Sequence, residues 1–265
     1  MVQINIIFLW LMIYSFIGWA YESTLCSITG KKLVNRGFLN GPVCPVYGFG
    51  ALIIIFCLEN IADKNILSLF LSSVVLTCTL EYITSWILET LFHTRWWDYS
   101  RYRFQLNGRV CLLGAIVFGL LSVLLLKYIH PFISNFVNKL PVFWLIVLSD
   151  TLFLILMIDL FITVKSILSM NHRLAELQQA INNHYHKLKD HLQEHTEDLK
   201  ENLQEYRQKI GGHLEQNAAK IEQLSTQLKF NERRLLQAFP KMKSIKHKDA
   251  LEQIQKKWLN RKHKS

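Results

Sequence analysis

Over the first 170 residues, apolar positions fall in long runs separated by short polar connections. A run of about 20 mostly apolar residues is long enough to cross a bilayer as a helix. Five runs meet that description, at about 4–26, 43–60, 66–92, 110–129 and 141–168. The second is the shortest. Its start, Gly41-Pro42-Val43-Cys44-Pro45, breaks one helix and permits the next, since proline is tolerated in a first turn. Beyond Asn171 the solid runs give way to a sparse stripe. Leu177, Leu188, Leu199, Ile210 and Ile221 recur every 11 residues, as do Ile181, Leu192, Leu203 and Leu214. Eleven residues complete three helical turns and keep a narrow stripe straight, which predicts a helix–helix seam. The pattern therefore predicts an all-α, polytopic membrane helix bundle over 1–170, an amphipathic coiled-coil helix over 171–240, and a basic tail over 241–265.

The first four runs carry one unit twice. Shifted by 67 positions, Trp19 falls on Trp86, Glu22 on Glu89, Arg36 on Arg103, Leu39-Asn40-Gly41 on Leu106-Asn107-Gly108, and Val43-Cys44 on Val110-Cys111. That is eight identities in the 26 positions from Trp19 to Cys44, without a gap. The predicted repeat units are about 4–60 and 66–129, each a helix, a polar loop and a helix. An offset of two helices gives both copies one orientation, so the repeat is parallel, about an axis along the membrane normal.

Charge sets the expected topology. Residues 1–170 are net +3 and residues 171–265 net +7. Loop 27–42 holds Lys31, Lys32 and Arg36, and loop 93–109 holds Arg95, Arg101, Arg103 and Arg109. The other connections add mainly Lys64 and Lys139. By the positive-inside rule, both repeat loops and the C-terminus are expected in the cytoplasm and the N-terminus outside a cell membrane. The first 15 residues carry no Lys or Arg, so the first helix is expected to be a retained anchor and not a cleaved signal. The five cysteines fit neither a zinc site nor a disulfide framework. Cys44 and Cys111 match across the repeat, where packing is preferred to a redox pair.

Charged residues inside the runs are the candidate chemistry. Trp19 and Glu22 share a helical face, and Trp86 and Glu89 repeat it. A carboxylate within a span needs a partner or a polar cavity. Glu81 adds a third acid two turns before Glu89. The expected partners are Arg36 and Arg103, within or across the repeats. Such pairs either pin the loops to the bundle or line a pocket for a headgroup, ion or small solute. In the fifth helix, Asp150 and Asp159 are nine residues apart and lie on nearly opposite faces. Asp150 is the candidate proton or cation site, and a hydrogen bond to a neighbouring helix is the alternative. Asn40-Gly41 and Asn107-Gly108 read as turns that tolerate positive φ, with each Asn a candidate cap for the helix that follows. Trp96-Trp97-Asp98-Tyr99 reads as an interfacial aromatic cluster.

Several of these segments together resemble a known family. Tyr14-Ser15-Phe16-Ile17-Gly18-Trp19 through Glu22, Asn35 through Pro42, Glu81-Tyr82 through Glu89, Trp96 through Tyr99 and Asn107-Gly108-Arg109 resemble the bacterial ABC-transporter type IV (CmpB-like) permeases over about residues 8–130. The resemblance implies a transport permease. The chain has no GxxxxGK[ST] phosphate loop, so a permease of this kind needs a separate ATP-binding subunit docked on the repeat loops.

The tail adds a second possibility. Residues 171–240 balance 10 basic against 10 acidic residues, as a solvated coiled coil would, with another copy or an adaptor as partner. His184, His191 and His195 supply too few donors for a metal, and no metal or cofactor is expected. Residues 241–265 hold nine basic and two acidic residues. Leu251, Ile254 and Trp258 form one face of a short basic helix, a pattern drawn to an anionic lipid surface; no nucleic-acid fold precedes it. With no convincing nucleophile–base pair, a non-enzymatic role is expected: a permease component or, alternatively, a membrane scaffold or sensor that recruits partners through its tail.

Overall fold

The fold comes from a computed structural model that describes residues 2–61, 65–194 and 228–262. Helix α1 (Val2–Gly30) leads to α2 (Pro45–Leu58), and α3 (Ile66–Phe92) to α4 (Leu112–Leu124). A π turn at Leu125–Ile129 joins α4 to α5 (His130–Asn138), so one continuous span runs from Leu112 to Asn138. The apolar pattern predicts an end at 129. Pro131 lacks an N–H and would clash with the preceding turn of a regular helix; the wider π turn accommodates it and the span continues. Helix α6 (Val142–Glu194) runs 53 residues, far past the predicted end at 168. Helices α7 (Phe230–Ala238) and α8 (Lys248–Lys262) complete the described chain.

Four segments are long and apolar enough to cross a membrane: Val2–Gly30, Ile66–Phe92, Leu112–Asn138 and Val142–Asn183. The second expected span, α2, is a 14-residue helix, about 21 Å long at 1.5 Å per residue. It is nonetheless central. The chain reaches one end of the bundle at Gly30 and must return to the other before α3 begins. Much of α2 is buried, including Ala51, Leu52, Ile54, Ile55 and Leu58. It lies close along α1: a methyl group on Gly18 would enter the Tyr47 ring, and one on Gly48 would meet Ser15 and the Leu11 carbonyl. Small residues allow such approach where lipid offers no hydrophobic drive. Positions such as Val75 and Ile83 on α3 and Phe153, Leu154 and Ile155 on α6 are exposed, as expected of surfaces covered by hydrocarbon.

There are two apolar cores. One lies within the bundle, built on Leu9, Trp10 and Tyr14 of α1 and the buried face of α2, with Ile133, Val137 and Leu145. Within it the Tyr14 hydroxyl meets His130 Nδ1 at 2.7 Å. The other lies where α6 leaves the bundle. There Ile167, Met170, Leu174 and Leu177 pack against Phe92, Trp96, Leu235, Phe239, Leu251 and Ile254. Leu177 and half-buried Ile181 belong to the predicted coiled-coil stripe, but here they face the folded-back tail. From Leu188 onward the stripe, with the three tail histidines, lies outside the described side chains. The apolar face of the basic helix is likewise turned inward at Leu251 and Ile254, against protein and not toward lipid.

The all-α expectation missed two short ribbons. β1 (Thr94–Arg95) pairs antiparallel with β4 (Lys243–Ser244), and β2 (Gln105–Leu106) with β3 (Val110–Cys111). Both lie at the end of the bundle that carries loops 31–44 and 93–111, the loop face.

Candidate functional site at the loop face

The first loop has no regular structure, and side chains satisfy its backbone. Ser23 Oγ accepts from the Arg36 N–H and Ser27 Oγ from the Val34 N–H. Asn35 Oδ1 accepts from Trp19 Nε1 at 2.8 Å and from the Gly37 N–H, while its Nδ2 donates to the Asn40 carbonyl. Further along, the loop turns to α6. Asp159 accepts from the Asn40 N–H at 2.9 Å, from Asn40 Nδ2 at 2.9 Å and from the Gly41 N–H at 2.7 Å. Thr163 accepts from the same Asn40 amide. Neither Asn40 nor Gly41 has positive φ; the segment bends without the left-handed residues, and the Val43 N–H donates to the Gly41 carbonyl at 2.8 Å. Asn40 does not cap α2 either; Cys44 holds that position.

In the second loop the turn does form. Asn107 (φ 52°) and Gly108 (φ 69°) connect β2 to β3. Two successive left-handed residues suit a tight hairpin, and glycine adopts that region without strain. Gln105 Oε1 accepts from the Gly108 N–H, and Asn107 Nδ2 donates to the Tyr82 hydroxyl. Cys111 occupies the N-cap of α4, and its sulfur accepts from the Gly114 N–H.

The intramembrane acids sit behind these loops. Glu22 accepts from the Tyr47 hydroxyl at 2.6 Å and faces Arg36 Nε at 3.6 Å. Glu89 pairs with Arg95 and with buried Arg109, both at 3.0 Å. Arg103, its expected partner, lies elsewhere: exposed, with its guanidinium 5.8 Å from the Phe104 ring centre. The hairpin explains the difference, because it carries Arg103 outward and swings Arg109 in beneath it. Glu81 lies near the Tyr99 hydroxyl, and its Oε2 is buried with no partner among the described residues. Burial, then the Glu81 and Glu22 charges, push the Tyr99 hydroxyl well above its ordinary range, so it stays a donor. Glu22, Glu81, Tyr47 and Tyr99 thus form one polar patch behind the two loops. Asp150 is not part of it. It is exposed on α6, half a turn away from the side that presents Asp159 to the first loop.

Arg234 of α7 completes the loop face. Its guanidinium is buried and donates to the Gly37 carbonyl at 2.6 Å, the Phe38 carbonyl at 2.9 Å and Asn40 Oδ1 at 3.1 Å. Burial draws its pKa down and Asp159 opposes that; an arginine remains charged regardless. Asp98 accepts from Lys243, Ser100 N–H and Ser100 Oγ. Burial alone would raise its pKa, but these bonds hold it at about 2.

A family model described as "putative ABC-transporter type IV" matches residues 9–164. The chain belongs to that family. The match runs past the expected limit near 130 and takes in α5 and the part of α6 that holds Asp159 and Thr163; Arg234 lies outside it. No curated protein and no solved structure matches the chain.

Proposed function

We propose that the chain is the membrane-embedded permease component of an ABC-type transporter, with the loop face in the cytoplasm and a separate ATP-binding subunit docked on it. The observation that carries this reading is family membership across residues 9–164, which takes in the four long apolar segments up to residue 164. The basic residues of both loops support the orientation. Glu22, Glu81, Tyr47 and Tyr99 are the solute-contacting patch in this reading. Such a patch at the junction of two repeats is where transporters of this kind of symmetry place their sites. Asp150, facing outward, is assigned no role in it.

Purification of the full chain in mild detergent tests the reading. Recovery of a stoichiometric ATP-binding subunit is expected, with ATP hydrolysis that Glu22→Gln or Glu81→Gln uncouples from transport. Recovery of a homo-oligomer alone, without any ATPase, would contradict it and favour a membrane scaffold or sensor. The observation behind that second reading is the tail, which folds onto the loop face and supplies a surface apart from the bundle. Anionic lipid at the basic C-terminus fits either reading.

A further inference from the structure

One stretch of the tail reaches both repeat loops. Arg234 takes three acceptors, all from the first loop. Phe239 lies 4.6 Å beneath the Arg36 guanidinium and edge-on to Trp96 of the second loop at 5.1 Å. Lys243 and Ser244 pair with Arg95 and Thr94, the Ile245 N–H donates to the His93 carbonyl at 2.9 Å, and Lys243 Nζ binds Asp98. A separate set of contacts ties the same stretch to α6. Arg173 meets Glu232 at 3.3 Å, and Gln178 donates to Asp249 and accepts from the Ala250 N–H. Leu235, Leu251 and Ile254 pack with Leu174 and Leu177.

The two sets differ in kind. Contacts with the first loop are chiefly hydrogen bonds and a cation–π contact, which water or another protein's side chains can replace one for one. Contacts with α6 include an ion pair and hydrogen bonds too, but they add the buried apolar surface of Leu174, Leu177, Leu235, Leu251 and Ile254, which has no such substitute. Arg234 can therefore leave the first loop while the apolar residues of the tail stay attached to α6.

We infer that residues 230–254 are a latch, keyed by Arg234, that clamps both repeat loops and covers the surface where an ATP-binding subunit docks. The identity of that partner rests on the transporter reading above; the latch does not. Docking then requires Arg234 to leave the Gly37, Phe38 and Asn40 acceptors, and the latch competes with the partner for the first loop.

Hydrogen–deuterium exchange of the full chain in lipid nanodiscs tests this. In Arg234→Ala, exchange in residues 35–41 and in 230–245 should rise together by about tenfold to a hundredfold, as expected when charged hydrogen bonds are lost, with α2 unchanged. Arg234→Lys keeps the charge without the planar fork and should fall between; it carries the test if the alanine variant does not fold. Unchanged exchange at 35–41 in the variants would overturn the latch. If exchange rises and an ATP-binding subunit binds the variant more tightly than the unaltered chain, latch and partner both stand. If exchange rises and no such subunit is recovered with either chain, the latch stands and the transporter reading falls.

Discussion

The tripeptide Leu-Asn-Gly occurs in both repeat loops and does different work in each. At 106–108 it closes a hairpin: two left-handed residues, with Gln105 as a neighbour in the chain and Tyr82, 25 residues away on α3, as the partner of Asn107. At 39–41 it stays out of the left-handed region and takes its partners from Asp159, 119 residues away, and Arg234, 194 residues away. The hairpin of the second loop is held by β2–β3 pairing and by Tyr82 of α3, although Thr94, Arg95 and Asp98 ahead of it also meet the tail. The first is a junction that depends on α6 and the tail. A repeated sequence therefore fixes neither the turn nor its partners; local competition decides. The second loop can pair β2 with β3 and seat Arg109 on Glu89, whereas the first is drawn to a carboxylate on a helix outside the repeat.

The largest difference between the loops is expected at their ion pairs. Glu89→Ala leaves buried Arg109 without its carboxylate and should destabilise the bundle by about 3–5 kcal/mol in thermal or SDS unfolding. The corresponding ion pair of Glu22 is looser, and Arg36→Gln should cost about 1 kcal/mol or less. Equal losses at the two positions would erase the contrast. Next comes the turn. Gly108→Ala forces a side chain into the left-handed region and toward Asp98 Oδ1, costing about 1–2 kcal/mol. Gly41→Ala has no such strain and meets only the Asp159 carboxylate, so a smaller loss is expected in the same assay.

The smallest effect concerns pH. Asp98 is held below its ordinary 3.8, at about 2, so its contribution is complete above pH 3.8 and lost as pH falls through about 2. His247 is held down by burial, then by Lys246 and His93. It favours the docked tail above its ordinary value of 6.5 and gives up that support as pH falls through its depressed value. Protection factors at 243–247, corrected for the intrinsic exchange rate at each pH, should therefore fall slightly on acidification below about pH 6.5, and further below about pH 4. Protection that stays constant, or increases, on acidification would contradict these assignments.

Much of the bundle was legible because lipid imposes long apolar runs, and those runs mark four of the helices directly. Their ends were less legible. The π turn around Pro131 and the continuation of α6 beyond 168 depend on backbone accommodation and on packing with the tail, neither of which leaves a periodic signal. At the loop face, Glu22, Glu81 and Glu89 stood out because charge is rare in an apolar run, and Arg36 because it matches Arg103 across the repeat. Tyr47 and Tyr99 did not, since a tyrosine near an interface is ordinary. Asp159 was visible as an acid but passed over for Asp150, because only the rotation of α6 about its axis says which face meets a loop. Arg234 had no signal at all: one basic residue among many, in a tail whose fold-back is set by apolar contacts with α6.

The central claim is that Asp159, Asn40 and Arg234 form one network joining α6, the first loop and the tail. A double-mutant cycle of Asp159→Asn and Arg234→Gln, read as unfolding free energy of the full chain in detergent, tests it most directly. A coupling above about 1 kcal/mol is the expected result, since both side chains act on the same asparagine. Additivity within about 0.5 kcal/mol would contradict it, leaving the first loop held by α6 and the tail separately.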